Sequence, residues 1–262
     1  MIIDSHAHVI LPKEKQITLM KDAGVDRTVL FTSSIHPEMK EDNIDTYSKE
    51  LGKLYDILQG NRNPIDERIA SIKDLASIVK ENPMKYIGFG SIPFGLSYSE
   101  NMYWLTKYIV GNSFKGIGEI APGTGKMQHI EALFQAAQDT GNLPLWVHTF
   151  FPLNFDDIKE LLLFGKKYPT VPLILGHLGG IYWLDTLKAV RDMPNVYLDL
   201  SAIYATIAPT FAIREYPERT LFSSDAPYSS PLVARTILEQ ITPNKSVLQM
   251  VLGDNIAQLL DL

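Results

Sequence analysis

His6 and His8 stand two positions apart at the end of Ile2–Val9, a run apolar enough to be a buried strand. Side chains i and i+2 of a strand leave the same face, so both imidazoles project together. Four further groups of the same chemical kind close short apolar runs: Glu119, His148, His177 and Asp225. Imidazole nitrogens and carboxylate oxygens brought to one place hold a divalent cation. Taken singly, each residue has an ordinary structural reading. A His-x-His pair can sit on an exposed rim, and His148 can be a core histidine bonded to a carbonyl. His177 can shape the turn that the neighbouring glycines imply, Asp225 can cap a helix, and Glu119 can pair with a lysine. Independent accidents would not all choose the same end of successive strands, so the set is read as one metal site.

The elements that must deliver these groups are eight short runs. They are Ile2–Val9, Arg27–Thr32, Tyr86–Ile92, Phe114–Ile120, Leu143–Phe150, Pro172–Leu178, Val196–Ala202 and Thr220–Ala226. Each is too short for a buried helix, and several are continuously apolar, as parallel strands covered on both faces should be. Helical periodicity fills the gaps. Ile130, Leu133, Phe134 and Ala137 mark one helix before Gly141, and Ile69 to Val79 mark another before Asn82-Pro83. A third runs through Ile158, Leu161 and Leu162, with Asn154 or Asp156 as its cap. Strand and helix alternating eight times predicts an α/β fold, the (β/α)8 TIM barrel, with the active site at the C-terminal ends of the strands. An open doubly wound sheet competes, but no Gly-rich fingerprint follows the first strand. Residues 1–262 read as a single barrel domain with a helical insertion at about 33–85. There Tyr47, Leu51, Leu54, Tyr55 and Leu58 give an additional helix an apolar stripe. The stripe is expected to pack on its own domain; a lid or a homodimer contact are the alternatives.

Composition narrows the function classes. The chain has no cysteine, which excludes disulfide scaffolds, thiolate metal sites and thiol nucleophiles and leaves His, Asp and Glu as ligands. Its 24 basic and 30 acidic residues give a net charge of −6, which argues against nucleic acid and membrane surfaces as partners. No apolar run approaches the roughly 20 residues of a membrane span. The first ten residues lack a secretion signal's pattern, so a cytoplasmic protein acting on a small molecule is expected.

These residues resemble the amidohydrolase superfamily, and within it the group that includes aminocarboxymuconate-semialdehyde-type decarboxylases and metal-dependent hydrolases. The resemblance runs over the whole chain. It begins with Ile3-Asp4-Ser5-His6-Ala7-His8 and Lys115-Gly116-Ile117-Gly118-Glu119-Ile120, and continues through Trp146-Val147-His148 and Leu175-Gly176-His177-Leu178-Gly179-Gly180. It then takes in Tyr197-Leu198-Asp199-Leu200-Ser201, Leu221-Phe222-Ser223-Ser224-Asp225-Ala226-Pro227 and Leu252-Gly253-Asp254-Asn255-Ile256-Ala257. It implies that His6, His8, His148 and Asp225 ligate one divalent metal, commonly zinc, with water in an open position. His177 would contact substrate or metal-bound water, or bind a second metal. No lysine ends the fourth strand, so the chain does not resemble members with a carbamylated lysine there. Glu119 takes that place, as in members resembling the metal-dependent deoxyribonuclease branch, where it can serve a second ion; the alternative is a carboxylate that orients a ligand histidine.

Such a site supplies hydroxide near neutrality by lowering the pKa of bound water from about 15.7 toward ~7. Asp225 is placed to take the water's proton and return it to the leaving group, and His177 to stabilise charge on a carbonyl oxygen. Hydrolysis of a small amide, lactone or ester is the leading expectation. The alternative is non-oxidative decarboxylation of a small unsaturated or aromatic acid, which calls for a cationic anchor near the metal. A binding protein with a degenerate site is the third reading. His36, Phe150 and Tyr228 are the first candidates for substrate contact, with Phe94, Phe151 and Tyr204 beside them. His129 reads as surface, and Lys126 is the cation that stands out. No arginine directly follows a strand, which disfavours substrates carrying several carboxylates or phosphates.

Overall fold

In a computed structural model, which describes residues 1–32, 43–203 and 205–262, eight parallel strands form one sheet in the order β1 to β8. The strands are β1 (Ile3–His8), β2 (Arg27–Phe31), β3 (Tyr86–Gly90), β4 (Gly116–Ile120), β5 (Leu145–His148), β6 (Leu173–Gly176), β7 (Val196–Asp199) and β8 (Thr220–Leu221). Helices α1 (Lys13–Asp22), α2 (Ile44–Leu58), α3 (Ile65–Glu81), α4 (Tyr98–Trp104), α5 (Glu131–Asp139), α6 (Phe155–Lys167), α7 (Trp183–Ala189), α8 (Ile207–Glu215) and α9 (Pro231–Ile241) alternate with them. This is the (β/α)8 barrel expected from the alternation. Beyond β8 the chain closes the circle on β1: Phe222 O accepts from Ser5 N at 2.9 Å, and Asp225 N donates to His6 O at 2.7 Å. Among the described residues no helix is long and apolar enough to cross a membrane.

All eight strands are shorter than the apolar runs suggest, and for two of them side-chain bonds give the reason. The run Thr220–Ala226 gives only two residues of β8, and Phe222–Asp225 continue as a loop because Ser224 bonds to the Asp4 side chain and to the β1 backbone instead of a ladder partner. Val196–Ala202 leaves the sheet after Asp199 for a related reason, since Ser201 turns back to bond that aspartate. Helix signals are better observed. Asn154 caps α6, accepting from Asp156 N at 2.8 Å and Asp157 N at 3.2 Å in a full capping box.

The barrel interior is filled by Ile3, Val29, Phe31, Phe89, Trp146, Ile174 and Leu221, all buried. Trp146 reaches over β6 because that strand carries Gly176, where any Cβ would overlap the indole, while a Cβ at Gly118 of β4 would meet the Phe31 ring and the Trp146 Cβ. The indole lies under His6, ring centroids 4.3 Å apart, so this packed layer is the floor on which the histidines stand.

Candidate metal and substrate site

His6 and His8 leave the end of β1 toward one point, with their Nε2 atoms 3.3 Å apart. The hydrogen bonds of the opposite ring nitrogens explain this. His8 Nδ1 faces the Thr32 carbonyl at 3.4 Å, which can only accept. His6 Nδ1 meets Ser201 Oγ at 3.2 Å, and that hydroxyl donates to Asp199 Oδ1, so it must accept from the ring. Both imidazoles therefore spend Nδ1–H on the protein and turn Nε2 inward.

The other groups close the ring. Asp225 Oδ1 lies 3.6 Å from His6 Nε2 and 3.3 Å from His8 Nε2. Glu119, next to last in β4, puts Oε2 3.5 Å from His8 Nε2 and Oε1 2.6 Å from His148 Nδ1. His148 gives its own Nε2–H to Phe151 O at 2.9 Å, so Nδ1 is the nitrogen turned inward. His177 follows β6 with Nε2 3.6 Å from Glu119 Oε1, and its Nδ1–H goes to Ser201 Oγ at 2.8 Å. The six residues read from the sequence as metal-competent thus meet at one rim. His177 and Asp225 hold φ near 60° and 59°, the left-handed region that L-residues avoid, and such strain concentrates at functional sites.

The donor chemistry fits a divalent cation. Inward-facing imidazole nitrogens and two carboxylates crowd one point, and each inward nitrogen has its partner nitrogen committed to a protein acceptor, the arrangement that fixes metal-ligating histidines. His6, His8 and Glu119 form one group whose ligand atoms lie within 4.8 Å of one another, and Glu119, His148 and His177 form another. Without sulfur ligands the set suits zinc and manganese alike.

Charge states follow from burial and proximity. Burial holds the fully enclosed His6 down at about 4, so its lone pair is available throughout the neutral range. For His177 burial acts the same way, but the hydrogen bond to Glu119 and the charges of Asp225, Glu119 and Asp199 outweigh it and raise the group to about 9. His8 is raised against burial by Asp225 and Glu119. Burial would raise Glu119, yet its bonds to His148 and His177 keep it well below the ordinary carboxylate range. Asp225 is likewise held low against burial by His6 and His8.

Beneath the ring, Asp199 Oδ1 accepts from the backbone of His177 and Ser201 at 3.1 and 2.9 Å, and Oδ2 accepts from Trp146 Nε1 at 3.2 Å. Asp4 accepts from Ser224 N at 2.9 Å and Ser224 Oγ at 2.5 Å, which pins the loop carrying Asp225 to β1. Nothing in residue type or spacing distinguishes Asp199, Ser201 or Asp4 as supports.

The ring forms one end of a cavity of about 510 Å³ that Phe94, Phe150, Phe151 and Tyr228 help to line. His36 and Tyr204 lie outside the described residues. His129 is exposed, as expected, on the cavity rim. The sequence shows no arginine after a strand, but two line the cavity: Arg62, which pairs with Glu67 at 2.8 Å, and Arg68, from the first turns of α3. It donates to Ser91 Oγ, which bonds the Glu119 carbonyl at 3.4 Å, one peptide from the donor ring. Its Nε is buried without a partner, and among the described residues no carboxylate pairs with it. Burial lowers its pKa to about 10, which still leaves it cationic near neutrality.

The amidohydrolase family model matches residues 3–262. The chain belongs to the amidohydrolase family. No curated protein matches this amidohydrolase in sequence at a significant level. Its fold is similar to that of 5-carboxyvanillate decarboxylase LigW from Sphingomonas paucimobilis, at TM-score 0.71 and 15% identity, covering 100% of this chain and 99% of that one. It is also similar to 2,6-dihydroxybenzoate decarboxylase from Rhizobium, at TM-score 0.71 and 13% identity, covering 99% and 98%. A third likeness is to a dihydroxybenzoic acid decarboxylase from Polaromonas, solved with bound manganese and 2-nitroresorcinol (TM-score 0.69, 16% identity, 100% and 97% covered). At these identities the likeness shows the barrel, and the chemistry of this chain rests on its own residues.

Proposed function

We propose that this amidohydrolase is a metal-dependent, non-oxidative decarboxylase of a small aromatic or unsaturated carboxylic acid. The observation that carries the reading is Arg68, a partly buried guanidinium in the wall of the cavity that holds the donor ring, with which no carboxylate among the described residues pairs. A carboxylate is the ligand that satisfies such a group, through charge-assisted hydrogen bonds. Three solved structures of the same fold are decarboxylases of aromatic acids, which agrees with this reading. Hydrolysis of an amide, lactone or ester would use the same donor ring but gives the guanidinium nothing to hold.

His6, His8, His148 and Asp225 would hold one divalent ion, with Glu119 and His177 as the candidates for a second. Manganese in one relative supports widening the choice beyond zinc. The ion supplies Lewis acidity that polarises substrate oxygens. In the reaction the C–C bond to the carboxylate breaks, its electron pair stays on the ring or alkene carbon, CO₂ leaves, and a proton is added at that carbon. His177 is the proton source: raised to about 9, it is protonated near neutrality, and its Nδ1–H bond to Ser201 directs Nε2 into the site. Asp225, held below the ordinary carboxylate range, stays anionic and contributes ligand charge.

The test loads the protein separately with Zn²⁺ and Mn²⁺ and follows CO₂ and acid production over aryl and unsaturated carboxylates, amides, lactones and esters. CO₂ release from carboxylates is expected, reduced about 10²–10⁴-fold in His177→Asn, the usual range for a lost acid catalyst. Turnover of a neutral amide or lactone with no CO₂ from any acid would overturn the reading.

A further inference from the structure

The cavity is lined by more than the donor ring, and α2 supplies part of its wall. Leu51, Leu54, Tyr55 and Leu58 fall at i, i+3, i+4 and i+7, so they share one face of the helix, and all four line the cavity. Phe151 faces them from the loop after β5, its ring centroid 5.4 Å from that of Tyr55. No residue of α2 is buried. The stripe is nevertheless fixed in place: Lys126 Nζ donates to the carbonyls of Gln59 and Gly60, at 3.1 and 3.2 Å, where α2 ends. A cavity of about 510 Å³ belongs to the size range of sites that enclose drug-sized ligands, not a bare carboxylate head.

We infer that the cavity takes an amphipathic carboxylic acid, with its carboxylate at the Arg68 end and an apolar substituent of its ring or alkene against the α2 stripe. The inference rests on the assignment of Arg68 as the carboxylate anchor, but not on what becomes of the carboxylate. Arg62 is paired with Glu67, and Lys126 with the carbonyls that end α2, so Arg68 is the lining guanidinium left for a carboxylate. Together with the apolar stripe and its aromatic lip it complements such a molecule in both charge and polarity. The body covers the half-open stripe, so affinity grows with the apolar length of the ligand.

Calorimetric titration of Mn²⁺-loaded protein with benzoate, 4-butylbenzoate and 4-octylbenzoate tests this. Burial of each methylene tightens binding about threefold to fourfold until the tail reaches the cavity mouth. The double variant Leu54→Gln with Leu58→Gln flattens that dependence; both leucines are only partly buried, so the core is untouched. Arg68→Gln weakens the whole series by a similar factor, about tenfold or more, and leaves the dependence on length intact. A flat series in the wild type, or a length dependence unchanged in the leucine double variant, overturns the inference. A second copy of the chain covering α2 would also overturn it, and would show as a flat series together with a dimer by sedimentation that the same double variant dissociates. The two readings fail separately. Length-dependent binding without CO₂ release keeps the subsite and removes decarboxylation; CO₂ release with a flat series does the reverse.

Discussion

Ser201 serves two histidines at once. Its hydroxyl proton goes to Asp199, and its oxygen faces His6 Nδ1 and His177 Nδ1 at 3.2 and 2.8 Å. One hydroxyl therefore sets the tautomer of a candidate ligand, His6, and orients the ring of the candidate acid, His177. Ser201→Ala leaves both Nδ1–H groups without an acceptor in a buried layer. The expected result is a loss of metal affinity of about 10–100-fold, the usual effect of losing a group that orients a ligand, measured by competition with a chromophoric chelator. Ser201→Thr, which keeps the hydroxyl, should restore most of it. Nitrogen-15 spectra of the metal-free protein give a second readout: the alanine variant should show mixed His6 tautomers where the wild type shows one. A wild-type tautomer pattern in the alanine variant would remove Ser201 from this role.

At the scale of elements, the strand ends are legible in sequence and the supports are not. His6, His8, Glu119, His148 and His177 announce themselves because metal-competent types stand where apolar runs stop. Asp225 does so as well, although a loop holds it where a strand was expected. Ser201 and Asp199 carry no such mark: serine and aspartate are common after strands, and their role depends on distances across β1, β6 and β7. Arg68 is silent for a different reason. It lies in a helix whose apolar period hides which polar side chain turns toward a cavity. The stripe of α2 is plain in the periodicity, but what it faces is set by a contact distant in sequence, the Lys126 clasp. That contact predicts its own test. Lys126→Met should raise amide exchange several-fold across 44–60, as expected for losing about 1 kcal/mol of charge-assisted bonding at a partly exposed site. Exchange in α6, which caps itself through Asn154, should not change.

For the whole molecule, the donor ring links stability, pH and metal. In the metal-free protein Glu119 and Asp225 lie below their ordinary values of 4.5 and 3.8, so the stability they contribute is present above those values and is lost as pH falls. His177 lies above its ordinary 6.5, so its contribution is complete below 6.5 and is lost as pH rises through about 9. Asp4 acts earlier: burial raises it from 3.8 to about 7, so the stability it contributes is lost as pH rises across that span, largely before His177 titrates. The metal-free protein should therefore lose stability between pH 6.5 and 9, by about 2–4 °C in Tm for each kcal/mol at this chain size. Metal runs the opposite way. The candidate histidine ligands must be neutral to bind it, so rising pH strips the competing proton from His8 and should tighten the site. Binding to the folded state alone stabilises it in proportion to RT ln(1 + [L]/Kd). The gap between metal-loaded and metal-free Tm should consequently widen from pH 6.5 to 9 at fixed Mn²⁺ or Zn²⁺. Scanning calorimetry of both forms across that range reads the gap directly. A gap that stays constant would mean that the histidines do not compete with protons for the ion, and with it the ring would lose its standing as the metal site.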